Sequence, residues 1–228
     1  MTAASHTTAQ DIALRQEFLT FDTCLVSDAL ERLGLPHGVA GITRQATGKR
    51  VFGPAVTVTL QPFDGTIHKR HLGTAAIDVS RPGDIIVVQH ISRNDCAGWG
   101  GLLSTAAKAV GVAGIVVDGL VRDIDESEDL GLPVFARGVT PVTARNRVSE
   151  TATNEPAVIG GITVNPGDYV LADGSGLAVI PAGRLQEVAE AARNMMAVEN
   201  GIRAALARGI PISAAMNETY ETLLSKKD

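Results

Sequence analysis

The stretch Asp95-Cys-Ala-Gly-Trp-Gly-Gly-Leu-Leu-Ser-Thr-Ala-Ala-Lys-Ala-Val-Gly-Val-Ala-Gly-Ile-Val-Val-Asp-Gly-Leu-Val-Arg-Asp123 reads as a glycine-rich loop, a helix and an apolar strand in succession. Leu102 to Val110 has helical spacing and stops at Gly111, and Ala113 to Val117 is a short run suited to a central strand. Just upstream, the turn Arg81-Pro-Gly83 feeds Asp84-Ile-Ile-Val-Val88, a continuous apolar run of the kind buried on both sheet faces. Strand, helix and strand make a crossover, which places the chain in the α/β class.

The same stretch carries the candidate chemistry. Gly98-Trp-Gly-Gly101 lets backbone N–H groups turn toward a ligand, and the helix it opens adds partial positive charge at its N-terminus. After the next strand, Arg122 offers a planar fork for a carboxylate or enolate oxygen, and Asp123 offers a hard oxygen for a divalent cation. Ligands of parallel α/β sheets bind outside the carboxyl ends of strands, so these groups point to an enzyme of small oxo acids. The acids that follow, Asp125, Glu126, Glu128 and Asp129, read as a solvated face. Asp118-Gly119 reads as a turn at a strand end.

Other polar groups read more plainly. His68 and His71 flank Lys69 and Arg70 and read as solvated, while His90, near Asn94 and Asp95, is a candidate acid or base at the rim. Ser104 and Ser175 lack the strand-to-helix elbow of a nucleophilic serine. Asp173-Gly-Ser-Gly-Leu-Ala178 reads as a tight turn between strands, not a nucleotide loop.

With 228 residues and 45% apolar composition, one compact domain is expected. Residues 1–20 read as a flexible segment or short helix, 21–182 as the α/β domain, and 183–228 as a C-terminal helical segment bent near Asn200-Gly201 and able to cover a neighbouring subunit. Ser27 and Asp28 read as the N-cap of a helix that stops at Gly34, and Ala157 to Val164 as one strand. A net charge of −5 argues against a nucleic-acid partner. Two distant cysteines fit a reduced, cytoplasmic protein, and no apolar run has the length of a membrane span.

Beyond Gly100 to Asp123, five segments follow one family's order. They are Val26-Ser-Asp-Ala-Leu30, Gly53-Pro-Ala-Val-Thr-Val58, Arg81-Pro-Gly-Asp-Ile-Ile-Val-Val88, Leu132-Pro-Val-Phe-Ala-Arg-Gly138 and Val164-Asn-Pro-Gly-Asp-Tyr-Val-Leu-Ala-Asp173. From about Thr20 to Gly209 the chain resembles the family of the ribonuclease E inhibitor RraA and the class II 4-hydroxy-4-methyl-2-oxoglutarate aldolases. The resemblance implies a β/β/α domain related to swivelling phosphohistidine domains, assembled as homotrimers or homohexamers with sites between subunits. It implies that Gly100, Gly101, Leu102 and Leu103 bind pyruvate, that Arg122 holds its enolate, and that Asp123 supports Mg²⁺ or Mn²⁺. The activity so implied is aldol cleavage or oxaloacetate decarboxylation; the alternatives are an RraA-like regulator of a ribonuclease without turnover, or an enzyme acting on another small acid. One position departs from the aldolase pattern, which carries an acid where this chain has Gly101. His90, Asp95 or Glu199 from a neighbour are the candidate replacements, and Gly101→Asp is expected to tighten Mn²⁺ binding.

Overall fold

The computed structural model describes residues 9–65, 70–90 and 95–216. Its centre is a run of crossovers: β2 (Val51–Pro62), α3 (Thr74–Val79), β3 (Ile85–His90), α4 (Gly101–Val110), β4 (Gly114–Val121), α5 (Ile124–Asp129) and β5 (Val134–Val139). The four strands lie parallel in that order, and β1 (Thr43–Ala46) closes the far edge antiparallel to β5. At twelve residues, β2 is long enough to serve two sheets. Its first residues, Val51–Pro54, pair with β9 (Tyr169–Ala172), which pairs in turn with β10 (Leu177–Ile180). Its later residues pair with β3 on one side and with β6 (Val148–Thr153) on the other.

Side-chain alternation along these strands builds the layers. Ile86, Val88, Ile115 and Val117 face α4 residues such as Leu103 and Ala107, whereas Ile85, Val87, Val116 and Phe135 face Val170, Ala172, Leu177 and Val179 of the second sheet. This gives the expected β/β/α layering, and the run Ile85–Val88 is buried on both faces as its composition predicted. A further helical layer covers the outside of the second sheet. There α1 (Ala9–Phe18), α2 (Thr23–Arg32) and α6 (Leu185–Ala207) pack Phe18, Leu30, Val188 and Ala192 over Phe52, Leu171 and Ile180. Phe18 stacks on Phe52 with ring centroids 4.5 Å apart, so the core begins before Phe21.

Several local expectations change. Helix α2 starts at Thr23, because Asp22 caps it by accepting from Leu25 N at 2.8 Å. Ser27 and Asp28 lie inside that helix, and the Ser27 hydroxyl accepts from Gly38 N instead. Residues 157–164 form a hairpin, β7 (Ala157–Ile159) and β8 (Ile162–Val164), because Gly160 and Gly161 both take positive φ. Asp118-Gly119 lies within β4 at a register shift, a bulge, and Asp118 there pairs with Arg137 and accepts from Gly160 N at 2.7 Å. Helix α6 runs unbroken through Asn200-Gly201, where nothing lies within 4 Å of a Cβ built on the glycine. The turns Arg81-Pro-Gly-Asp84 and Asn165-Pro-Gly-Asp168 both form, with Gly83 and Gly167 at φ 90° and 88°. Among the described residues no helix is long and apolar enough to cross a membrane.

Candidate active site

A cleft of about 710 Å³ opens beyond the carboxyl ends of β2 and β4, where Phe63 and Arg122 stand. Gly100, Gly101, Leu102, Leu103, Arg122 and Asp123 all line it, so the fold brings together the residues singled out in the sequence. Backbone bonds set this approach. Gly98 N donates to Leu120 O at 2.8 Å and Arg122 N to Trp99 O at 3.1 Å, which zips the glycine loop against the end of β4. Gly98 is required by space, since a Cβ there would lie 2.9 Å from the His90 ring.

Asp123 takes left-handed backbone, φ 56° and ψ 44°, which costs a non-glycine residue roughly 1 kcal/mol. That conformation ends the strand and turns the carboxylate back over the helix start. Its Oδ2 accepts from Gly101 N at 3.0 Å and meets Arg122 Nε at 3.2 Å. Both side chains stay open to the cleft, with 38% of Arg122 and 34% of Asp123 exposed. The Gly101 N–H is thus engaged by Asp123 and does not face a ligand. Leu102 N and Leu103 N are the first-turn donors of α4 that meet no acceptor among the described residues.

A buried chain of hydroxyls supports this arrangement. Trp99 Nε1 donates to Ser104 Oγ at 3.1 Å, Ser104 Oγ lies 3.0 Å from Ser127 Oγ, and Ser127 N donates to Asp123 O at 3.3 Å. Ser104 is therefore a strut, not a nucleophile. His90 is fully buried behind the loop with Nε2 2.9 Å from Cys96 O, so it does not reach the rim. Asp95 is exposed but does not line the cleft, and Glu199 bonds Arg203 at 2.6 Å beside α2 of its own chain. Burial raises the Asp28 carboxyl above its ordinary range, and the charges of Glu31 and then Glu199 add to it. His71 lines the cleft, while His68, Lys69 and Asn94 lie outside the described residues.

Three charged residues escaped the sequence reading. Arg145 and Glu150 line the opposite wall, and Glu150 accepts from Gly73 N at 2.5 Å. They come from β6 and the loop before it, so no local pattern could have tied them to Arg122. Glu126, which borders Gly101 but is not part of the cleft lining, is the third. A Cβ built on Gly101 would lie 1.7 Å from Glu126 Oε2, so this carboxylate rests on the glycine itself. Its i, i+3 spacing from Asp123 was the available signal.

Could this set hold a metal? Among the described residues no group of three or more His, Cys, Asp or Glu side chains could cage an ion. The set fits a hydrated hard cation instead, since Mg²⁺ keeps several waters and takes one or two carboxylates. Asp123 Oδ2 is held by Gly101 and Arg122, and the carboxylate is open to the cleft.

The chain is 32% identical to DlpA of Legionella pneumophila over 205 residues, which cover 90% of this chain but 33% of DlpA, so it spans about a third of that relative. It is 34% identical over 183 residues to a Halalkalibacterium halodurans protein named "Putative 4-hydroxy-4-methyl-2-oxoglutarate aldolase", covering 79% and 82% of the two chains. The crystal structure of Streptomyces coelicolor RraAS2, described as an unusual member of the RNase ES inhibitor RraA family, matches with a TM-score of 0.75 and 30% identity over 84% of this chain and 96% of that one. Residues 23–179 match the family described as RraA-like, Aldolase/RraA, and the chain belongs to that family.

Proposed function

We propose that this protein is a divalent-metal-dependent carbon–carbon lyase of the cytoplasm, acting on a pyruvate-containing oxo acid by aldol cleavage, by oxaloacetate decarboxylation, or by both. One observation carries the reading: a fork-shaped cation, an open carboxylate and two unpartnered N–H groups of a helix N-terminus meet in one cleft. The substrate carboxylate would take Leu102 N and Leu103 N, where the helix end favours negative charge. The Arg122 guanidinium would receive the oxo oxygen as negative charge grows on it, and it is fixed beforehand by Asp123. Asp123 would hold Mg²⁺ or Mn²⁺, which supplies Lewis-acid stabilisation of that same oxygen when bound. Trp99, 3% exposed, and Leu103 keep the back wall apolar, which strengthens each of these charge contacts. Aldol cleavage and decarboxylation release the same enolate, so one set of contacts serves both.

The aldolase name of the Halalkalibacterium relative supports this class. We extend the proposal to a homotrimer or homohexamer in which a second copy covers Leu102, an apolar side chain 86% exposed at the cleft mouth. Light scattering that finds a monomer would remove that part. The test of activity is pyruvate release from oxaloacetate and from 4-hydroxy-4-methyl-2-oxoglutarate with Mg²⁺ or Mn²⁺, followed through lactate dehydrogenase. Release that depends on metal and on Arg122 is expected. No release from either compound, with unchanged oxalate affinity in Arg122→Ala, would overturn the reading. A second reading, a ribonuclease-binding regulator without turnover, is favoured by Gly101 and by the likeness to RraAS2; it predicts that null result.

A further inference from the structure

We propose that Glu126 is the second acidic side chain at the cation end of this cleft, a positioning residue, and that position 101 is glycine because Glu126 occupies the space above it. The proposal rests on the reading of the cleft as a divalent-cation site and says which residue completes it.

Gly101 is not among the glycines with positive φ, so its backbone does not call for glycine. Space does. A Cβ there would lie 1.7 Å from Glu126 Oε2, 2.5 Å from Glu126 Cδ and 3.1 Å from Asp123 Cβ. No real Cβ tolerates the first two distances, so a side chain at 101 would drive the Glu126 carboxylate, the far end of a flexible side chain, out of this position. The left-handed turn at Asp123 starts α5, and three residues later Glu126 returns on the same side of the first turn. Asp123 Oδ2 already meets the Gly101 N–H and Arg122, whereas the Glu126 carboxylate has no hydrogen-bond or ion-pair partner among the described residues.

An ordinary role at a helix start explains less. An acid in the first turn of α5 would favour the helix only weakly, and Asp125 already supplies one. That role needs no contact with another helix, yet Glu126 lies on the first residue of α4. Two carboxylates are thus brought to one glycine, and only that of Asp123 meets donors there, so a cation or its water would find an open acceptor in Glu126. Glu126 would thus accept hydrogen bonds from the water of a cation held by Asp123, on the side of the cleft where Arg122 stands. The acid absent at 101 has moved to the neighbouring helix, one reason this chain need not be read as catalytically silent.

The test is the Mn²⁺ affinity of the intact protein without substrate, by calorimetry or electron paramagnetic resonance of free Mn²⁺. Glu126→Gln, which keeps shape and removes charge, should weaken Mn²⁺ binding roughly 10–100-fold with no loss of thermal stability. A lone Gly101→Asp, which the sequence suggested would tighten binding, collides with Glu126 and should weaken it. The pair Gly101→Asp with Glu126→Ala should return affinity to near the wild-type value. Wild-type affinity in Glu126→Gln, or a double variant no better than Gly101→Asp alone, would overturn the proposal. If Asp123→Asn loses Mn²⁺ while Glu126→Gln does not, Glu126 falls and the cation reading of the cleft stands. If the wild-type protein binds no Mn²⁺, both fall.

Discussion

Asp123, at the end of β4, and Asp173, at the end of β9, use the same device. Each accepts from the N–H of the first residue of a helix, Gly101 of α4 at 3.0 Å and Thr23 of α2 at 2.9 Å. Each also meets an arginine Nε, Arg122 at 3.2 Å and Arg50 at 3.5 Å. They differ in completeness. Asp173 is 6% exposed and takes two further bonds, from Thr23 Oγ1 at 2.6 Å and Ser175 N at 2.9 Å. Asp123 is open to a cleft, sits in strained backbone and has neither addition. A carboxylate whose acceptor sites are filled by its own chain is a clasp, whereas one left partly unfilled beside a cavity is available to a ligand.

The two arginines separate the clasp from the site most sharply. Arg122→Lys should lower kcat/KM for pyruvate release roughly 10²–10³-fold, because a point ammonium cannot replace a fork fixed by Asp123. Arg50→Lys should leave kcat/KM unchanged. Equal losses in steady-state kinetics, or none in either, would break the distinction.

The carboxylates should divide affinity from stability. Asp173→Ala strands the Thr23 and Ser175 donors and should cost on the order of 3 kcal/mol, about 6–12 °C in melting temperature, with Mn²⁺ binding intact. Asp123→Asn, whose new residue tolerates left-handed backbone, should lose Mn²⁺ binding and melt as the wild type does. Calorimetric melting and Mn²⁺ titration of both variants check the crossing; a large melting loss in Asp123→Asn would make it a clasp as well.

How much of this contrast was legible beforehand depended on distance along the chain. Gly100 to Leu103 and Arg122-Asp123 lie within one helix-strand unit, so composition and spacing could place them at a common strand end. Glu126 lies on the next helix, α5, inside an acidic run, and a charge run looks solvated until one member is seen resting on a glycine. Arg145 and Glu150 arrive through long-range strand pairing, which leaves no local periodicity. Asp118-Gly119 carries turn residues yet continues β4 through a bulge, because Arg137 and the Gly160 N–H satisfy its carboxylate. Asp22 outcompeted Ser27-Asp28 as a cap because the Asp173 clasp holds the chain at Thr23.

Acid sensitivity should follow the clasp. Burial opposes charge on Asp173, but the bonds from Thr23 and Ser175 and the Arg50 charge outweigh it and hold this carboxyl below its ordinary range. A depressed folded value means that its contribution is full above the unfolded value of about 3.9 and is lost as pH falls through the folded one. Stability against urea in Asp173→Asn should therefore change less than wild type below about pH 4. A wild-type slope in that variant would assign the acid response to other groups.

The smallest expected effect lies under the cleft. Trp99→Phe removes the donor to Ser104 and should cost about 1 kcal/mol, since Ser104 keeps Ser127 as a partner. Trp99 is the single tryptophan, so wild-type fluorescence should respond to oxalate, whereas an unresponsive signal would place binding away from this wall.

The most direct measurement is a crystal structure with Mn²⁺ and oxalate, a mimic of the pyruvate enolate. One oxalate carboxylate is predicted at Leu102 N and Leu103 N, an oxygen of the other at the Arg122 guanidinium, and Mn²⁺ at Asp123. Oxalate bound elsewhere, or a cleft left empty with Arg122 and Asp123 turned away, would contradict the account.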